Sequence, residues 1–167
     1  VKIATSISVA TLSIAVVLIG LNLRSFWKGK KDPKILFPGS GGMVFGSTLA
    51  ACVGGALGTS AGAVAGAGNG VSGIVPWATG AGDRGVAVGH ATGLTVEGGV
   101  IAVLVAVLGF LAAREGAKTS KKRVLGGAFC GIVLTYTAGI AALVAAYLIP
   151  AYNEVGRQLV AAVEGAL

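Results

Sequence analysis

Apolar residues in this chain gather in long uninterrupted runs, broken by short basic stretches. Residues 3–21 (IATSISVATLSIAVVLIGL) form a run of membrane-spanning length. Their β-branched side chains would suit a strand in water. In lipid, where every backbone N–H and C=O must find a partner within the segment, the same run is satisfied as helix. Residues 43–66 carry no charge over 24 positions, enough for about 36 Å of helix. Residues 98–113 (GGVIAVLVAVLGFLAA) are strongly apolar but short, and that helix starts near 93 if it extends back through Glu97. Residues 124–149 are the clearest span, with Pro150 placed to end it. The pattern predicts an all-α integral membrane protein, a single membrane domain with four transmembrane helices. Residues 151–167 differ: Val155, Leu159, Val160 and Val163 recur at helical spacing among Asn153, Glu154, Arg157, Gln158 and Glu164. That predicts a C-terminal amphipathic helix, lying on a membrane surface or serving as the packing tail of an assembly.

Glycine adds a second pattern. Gly54, Gly58, Gly62, Gly66 and Gly70 fall on a four-residue beat, and Gly127 and Gly131 repeat the interval within the last span. Glycine-rich sequence without a period reads as linker. At a spacing of four it leaves one helix face without side chains, where another backbone can approach closely. Gly54, Gly58, Gly62, Gly66, Gly127 and Gly131 are accordingly predicted packing positions. Residues 67–97 then form a glycine-rich external segment. Within it, VAVGHATGLTV reads as a short helix, a re-entrant piece, the start of the third helix or a β-hairpin.

Charge supplies the topology. Only 11% of residues are charged, against about 25% in an ordinary soluble domain, and mean hydropathy is +0.87. Ten of the 13 basic residues sit in two clusters: Arg24, Lys28, Lys30, Lys31 and Lys34, then Arg114, Lys118, Lys121, Lys122 and Arg123. Clusters between apolar runs mark cytoplasmic helix ends. Both are cytoplasmic only if 43–66 crosses the membrane. The expectation is therefore a multi-pass protein of the cell membrane with both termini outside. Lys28, Lys30, Lys31, Lys34, Lys118, Lys121, Lys122 and Arg123 would face the cytoplasm or lipid headgroups. Run 3–21 reads as a retained helix rather than a signal peptide, since no small-x-small cleavage site follows it. Direct nucleic-acid binding is disfavoured, because no aromatic interleaving or recognition-helix pattern accompanies the charge.

Candidate chemistry is sparse. His90 is the only histidine and has no acidic or cysteine neighbour at ligand spacing. Cys52 and Cys130 read as small side chains in apolar stretches. Glu97 suits the positive end of a helix dipole, and Asp83 and Arg84 read as an exposed turn. No phosphate-binding glycine loop and no nucleophile–base pairing is present. The reading is a non-enzyme without cofactor, with structural lipid as its only expected small-molecule companion.

Function is thus expected to lie in packing: a structural subunit of a membrane-embedded or membrane-derived homo-oligomeric assembly. Its partners would be membrane lipid and copies of itself or other membrane subunits. The alternative is a small pore or transporter subunit, with Glu97, His90 or Asp83 at its mouth. Residues 98–149, two apolar helices around the short basic loop REGAKTSKKR, resemble in layout the pilins of conjugative secretion systems. The resemblance implies helices side by side in a filament with lipid between them and the basic loop facing a lumen or the cytoplasm; the assembly is expected to be pilin-like or part of a macromolecule-transfer apparatus. It rests on architecture, and the first helix and the glycine-rich region depart from a two-helix pilin.

Overall fold

A computed structural model describes residues 7–52, 55–72, 85–86, 94–115 and 117–166. Seven α-helices account for most of them: α1 (Val9–Lys28), α2 (Pro33–Ala51), α3 (Gly55–Ser72), α4 (Val96–Glu115), α5 (Lys118–Thr135), α6 (Ala138–Leu143) and α7 (Ile149–Glu164). A π-helical turn, Val144–Leu148, joins α6 to α7. The one sheet among these residues is a two-residue antiparallel pair, β1 (Ile7–Ser8) with β2 (Gly85–Val86), Ile7 opposite Val86.

Local signals explain the helix starts. Ser8 caps α1 by accepting the Thr11 N–H, and Asp32 caps α2 by accepting the Lys34 N–H, with Pro33 in the first helical position. Both relieve N–H groups that the helix itself leaves without a partner. The second helix therefore starts at 33 rather than 43, and most of the basic stretch between the expected spans 3–21 and 43–66 is helical.

Two expected spans are cut differently. The run 43–66 is not one helix: α2 ends at Ala51, Cys52 adopts an extended backbone, and α3 begins at Gly55 with φ +63°. The helix direction turns by 112° across the break. Starting ten residues early, α2 uses up its span by Ala51, and glycines at about 1 kcal/mol each relative to alanine do little to carry the helix onward. The run 124–149 is split as well. α5 starts at Lys118, inside the expected basic loop, and ends at Thr135, where the Thr137 hydroxyl donates to the Leu134 carbonyl at 2.6 Å. Pro150 does not stop the chain. It sits in the first turn of α7, directly after the π turn, whose wider coil accommodates a residue that has no N–H and whose ring crowds the preceding carbonyl. Residues 139–164 consequently make one long helical rod that merges the end of the fourth expected span with the tail.

α5 is the centre of the molecule and touches α1, α2, α3 and α4. Its Cys130, Ile132 and Val133 are among the most deeply buried side chains. The other long helices turn aliphatic side chains outward, including Val16 and Val17 on α1 and Leu104, Val107, Leu108 and Phe110 on α4. Three helices are long and apolar enough to cross a membrane (Val9–Lys28, Val96–Arg114 and Gly139–Glu164), and the bent α2–α3 pair makes a fourth if counted as one span. The fold is all-α and multi-pass in character.

Candidate functional site

The most extensive helix pairing among the described residues is a glycine seam between α2 and α5. A methyl group added at Gly42 would meet the backbone of Val124, and one at Gly46 would fall 2.9 Å from Ala128 Cα. In return, a methyl at Gly127 would meet the backbone of Gly39 and one at Gly131 would lie 3.0 Å from Met43 Cα. Neighbouring backbones at this distance leave no side chain to yield, so each position requires glycine. Residue numbers rise together along both helices, so α2 and α5 run parallel. The contacts are also reciprocal. Gly42 is to Val124 as Gly127 is to Gly39, and every equivalent pair is 85 residues apart (127 minus 42, 131 minus 46). Underneath lies a short repeat, GGMVFG at 41–46 and GGAFCG at 126–131. Each copy begins eight residues into the second helix of a hairpin whose turn is basic (41 minus 33, 126 minus 118).

Of the five seam glycines, sequence reasoning singled out two, Gly127 and Gly131, and missed Gly39, Gly42 and Gly46. The signal available for finding them was the repeated GGxxxG. The glycine beat further on is placed differently. Gly62 is buried, Gly58 is half-buried, and Gly66 and Gly70 face open space. The inward side of α3 is formed by Ala61, Ala65 and Gly68, the last packing on Thr11 and Phe129. Gly54 lies outside the described residues.

Parallel α2 and α5 bring the two basic clusters to one end of the molecule. Lys28, Lys30, Lys31 and Lys34 are exposed around the α1–α2 turn; Lys118 and Lys122 are exposed and Lys121 and Arg123 half-buried at the start of α5. Arg123 Nη1 donates to the Ile35 carbonyl at 3.3 Å, tying one cluster to the other. Trp27, largely exposed, stands on the last turn of α1 beside them.

The opposite end is held by uncharged polar side chains and has no basic cluster. The Ser8 N–H and the Thr11 hydroxyl both donate to Asn69 Oδ1, at 3.1 and 3.0 Å. With the Thr11 proton committed to Asn69, the Ser8 hydroxyl must donate to Thr11 Oγ1, 2.8 Å away. This buried network pins the start of α1 to α3. Replacing Asn69 with alanine removes the shared acceptor, and a loss of about 1–3 kcal/mol is expected, read as a lower unfolding midpoint in detergent; an unchanged midpoint would show that the network is not structural. Nearby, Asn153 Oδ1 accepts from the Thr95 N–H at 2.9 Å, and Thr95 Oγ1 accepts from the Gly98 N–H, capping α4. Glu97 stands in that first helical turn. The paired Glu154 and Arg157 are exposed on α7.

Among the described residues, no three His, Cys, Asp or Glu side chains come together as a metal site would require, and no Asp, Glu, Lys, Arg or His side chain is buried. His90, Asp83 and Arg84 lie outside the described residues. Cys130 is buried with its thiol donating to the Ala15 carbonyl at 3.4 Å, and Cys52 is half-buried. The chain matches no protein-family model, and no curated protein or solved structure matches it.

Proposed function

We propose that the protein is a structural subunit of a homo-oligomeric assembly embedded in or derived from a membrane, oriented with its basic end in the cytoplasm. The observation that carries this reading is the outer surface. Exposed aliphatic side chains cover α1 and α4, while α3 presents Gly66 and Gly70 outward with empty space beside them. Aliphatic faces suit lipid, and a bare helix face suits the close approach of another helix. The α4–α5 hairpin with its basic turn keeps the pilin-like layout over 96–135. In this orientation α1, α2, α4 and α5 each reach the cytoplasmic end. α2 ends at the outer end and α4 starts there. The rod 138–164 ends as the amphipathic tail, its exposed Val155, Leu159 and Val163 facing lipid or a neighbouring copy. A pore is the weaker reading, because the buried polar side chains among the described residues are hydroxyls without a charged partner.

Cysteines introduced one at a time at three positions, in a Cys52→Ser background whose remaining thiol is the buried Cys130, test the orientation. An impermeant maleimide applied to intact cells is expected to label Asp83→Cys but neither Lys30→Cys nor Thr119→Cys; the reverse pattern overturns the orientation. Native size in mild detergent is expected to be a discrete oligomer or polymer. Replacing Gly66 and Gly70, the two outward glycines of α3, with leucine is expected to reduce it to single chains while membrane insertion continues. A wild-type protein that is strictly monomeric would defeat the assembly.

A further inference from the structure

An unfilled apolar groove runs between α2 and α4 and opens at the basic end. Its volume is about 280 Å³, and its walls include Phe37, Gly41 and Phe45 from α2 and Val105, Gly109 and Ala112 from α4. Phe45 packs on Gly109 and forms the inner wall. Gly41 lines the groove, and a methyl group there would meet nothing within 4 Å. From the level of Ala112 to that of Val105 the groove is about 10 Å long by helix rise. Polar lining is nearly absent, so water gains little by entering.

The charge is placed where this groove ends. Lys34 is one helical turn before Phe37 and Pro38, on the same face of α2 as Gly41 and Phe45. Val124 closes the groove from α5, and Lys121 lies one turn before it, half-buried, with Lys118 one turn earlier again. Arg123, bonded to the Ile35 carbonyl, stands beside them. Asp32 and Glu115 are the two acids within the two basic clusters, against ten Lys and Arg, so this end of the chain is net positive. An acyl-chain-shaped groove with cations at one end matches a single molecule: a chain seated between the helices and a phosphate held at the headgroup level.

We propose that the α2–α4 groove is a binding site for one anionic phospholipid, with Lys34, Lys118 and Lys121 at its phosphate. This rests on the membrane placement proposed above, but not on the assembly. Zwitterionic lipids would fit the groove and lack the net negative charge that the mouth selects. Seating the chain at α2 and α4 also fills the space that the two helices leave beside the seam.

The test uses the full chain, purified in mild detergent and then placed in nanodiscs of mixed phosphatidylglycerol and phosphatidylcholine. Native mass spectrometry after release reads how many lipids of each kind stay bound. Wild-type protein is expected to retain one phosphatidylglycerol per chain, at least fivefold over phosphatidylcholine. Gly41→Leu fills the groove from a position with room for it, and is expected to abolish retention of both lipids. Gly99→Leu, an equally open glycine at the far end of α4, is expected to leave retention intact. Lys34→Gln with Lys121→Gln is expected to keep a bound lipid and lose the preference for the anionic one. Equal retention of the two lipids by wild type, or unchanged retention in Gly41→Leu, overturns the site. So does a lipid-free dimer that Gly41→Leu dissociates, which would give the groove to a helix of a second copy. Maleimide sidedness is read on the same variants, so a misplaced membrane orientation is distinguished from an empty groove.

Discussion

Gly46→Ala is expected to destabilise the protein by about 2–3 kcal/mol, the usual cost of forcing extra atoms into a filled interior. Helix propensity alone predicts the opposite, since alanine is favoured over glycine by about 1 kcal/mol. The added Cβ would lie 2.8 Å from the Ala128 carbonyl carbon and 2.9 Å from its Cα. Both are backbone atoms, so relief requires α2 and α5 to move apart along the whole seam. Gly41→Ala, one helical turn and a residue earlier on the same helix, supplies the contrast. Its added methyl meets nothing, and propensity should make it neutral or slightly stabilising. Unfolding midpoints in detergent separate the two. Gly131→Ala should resemble Gly46→Ala, and the double variant should cost less than the sum, because one separation of the helices accommodates both methyls. A midpoint for Gly46→Ala at or above wild type would mean that the seam is looser than its geometry indicates.

Leu104→Asp is expected to have the other large effect. Leu104 lies midway along α4 and is 48% exposed. On a surface bathed in water such a substitution changes stability by about 0.5 kcal/mol or less. At the centre of a spanning helix an aspartate costs about 3 kcal/mol to insert, so the membrane-inserted fraction should fall sharply. Carbonate extraction of membranes, comparing Leu104→Asp with Leu104→Ala, measures it. Equal membrane retention of the two variants would remove α4 from the lipid and with it the main support for the proposed function.

Much of the architecture was legible because lipid-compatible runs are long and basic clusters are conspicuous. Run 3–21 led to α1 and run 98–113 to α4, each displaced by a few residues where a cap or a charged turn extended the helix. What remained hidden depends on which residues meet across the fold. The four-residue beat drew attention to 54–70, but Gly66 and Gly70 turn outward. The glycines of α2 that meet backbone are 42 and 46, just before and just inside the start of the expected span 43–66. Pro150 was read as a stop because proline breaks regular α-helix; a π turn just upstream removes that conflict, and propensity gives no sign of it. Thr135 and Thr137 looked like ordinary members of an apolar span until a hydroxyl took the carbonyl that would have continued the helix. The polar link from Asn69 to Ser8 and Thr11 joins residues about 60 positions apart and leaves no local trace.

Because α2 and α5 stand side by side and point the same way, the chain carries its orientation signal twice. Each half enters the core through its own basic turn, and both turns lie on one side of the bilayer in the proposed placement. A hairpin inserted backwards would have to bury its cluster on the wrong side and, at the same time, face its glycines against an antiparallel neighbour whose carbonyls no longer match. Electrostatics and steric fit therefore reject the same error independently. Sidedness in this molecule is a property of the paired halves, with either turn able to correct the other.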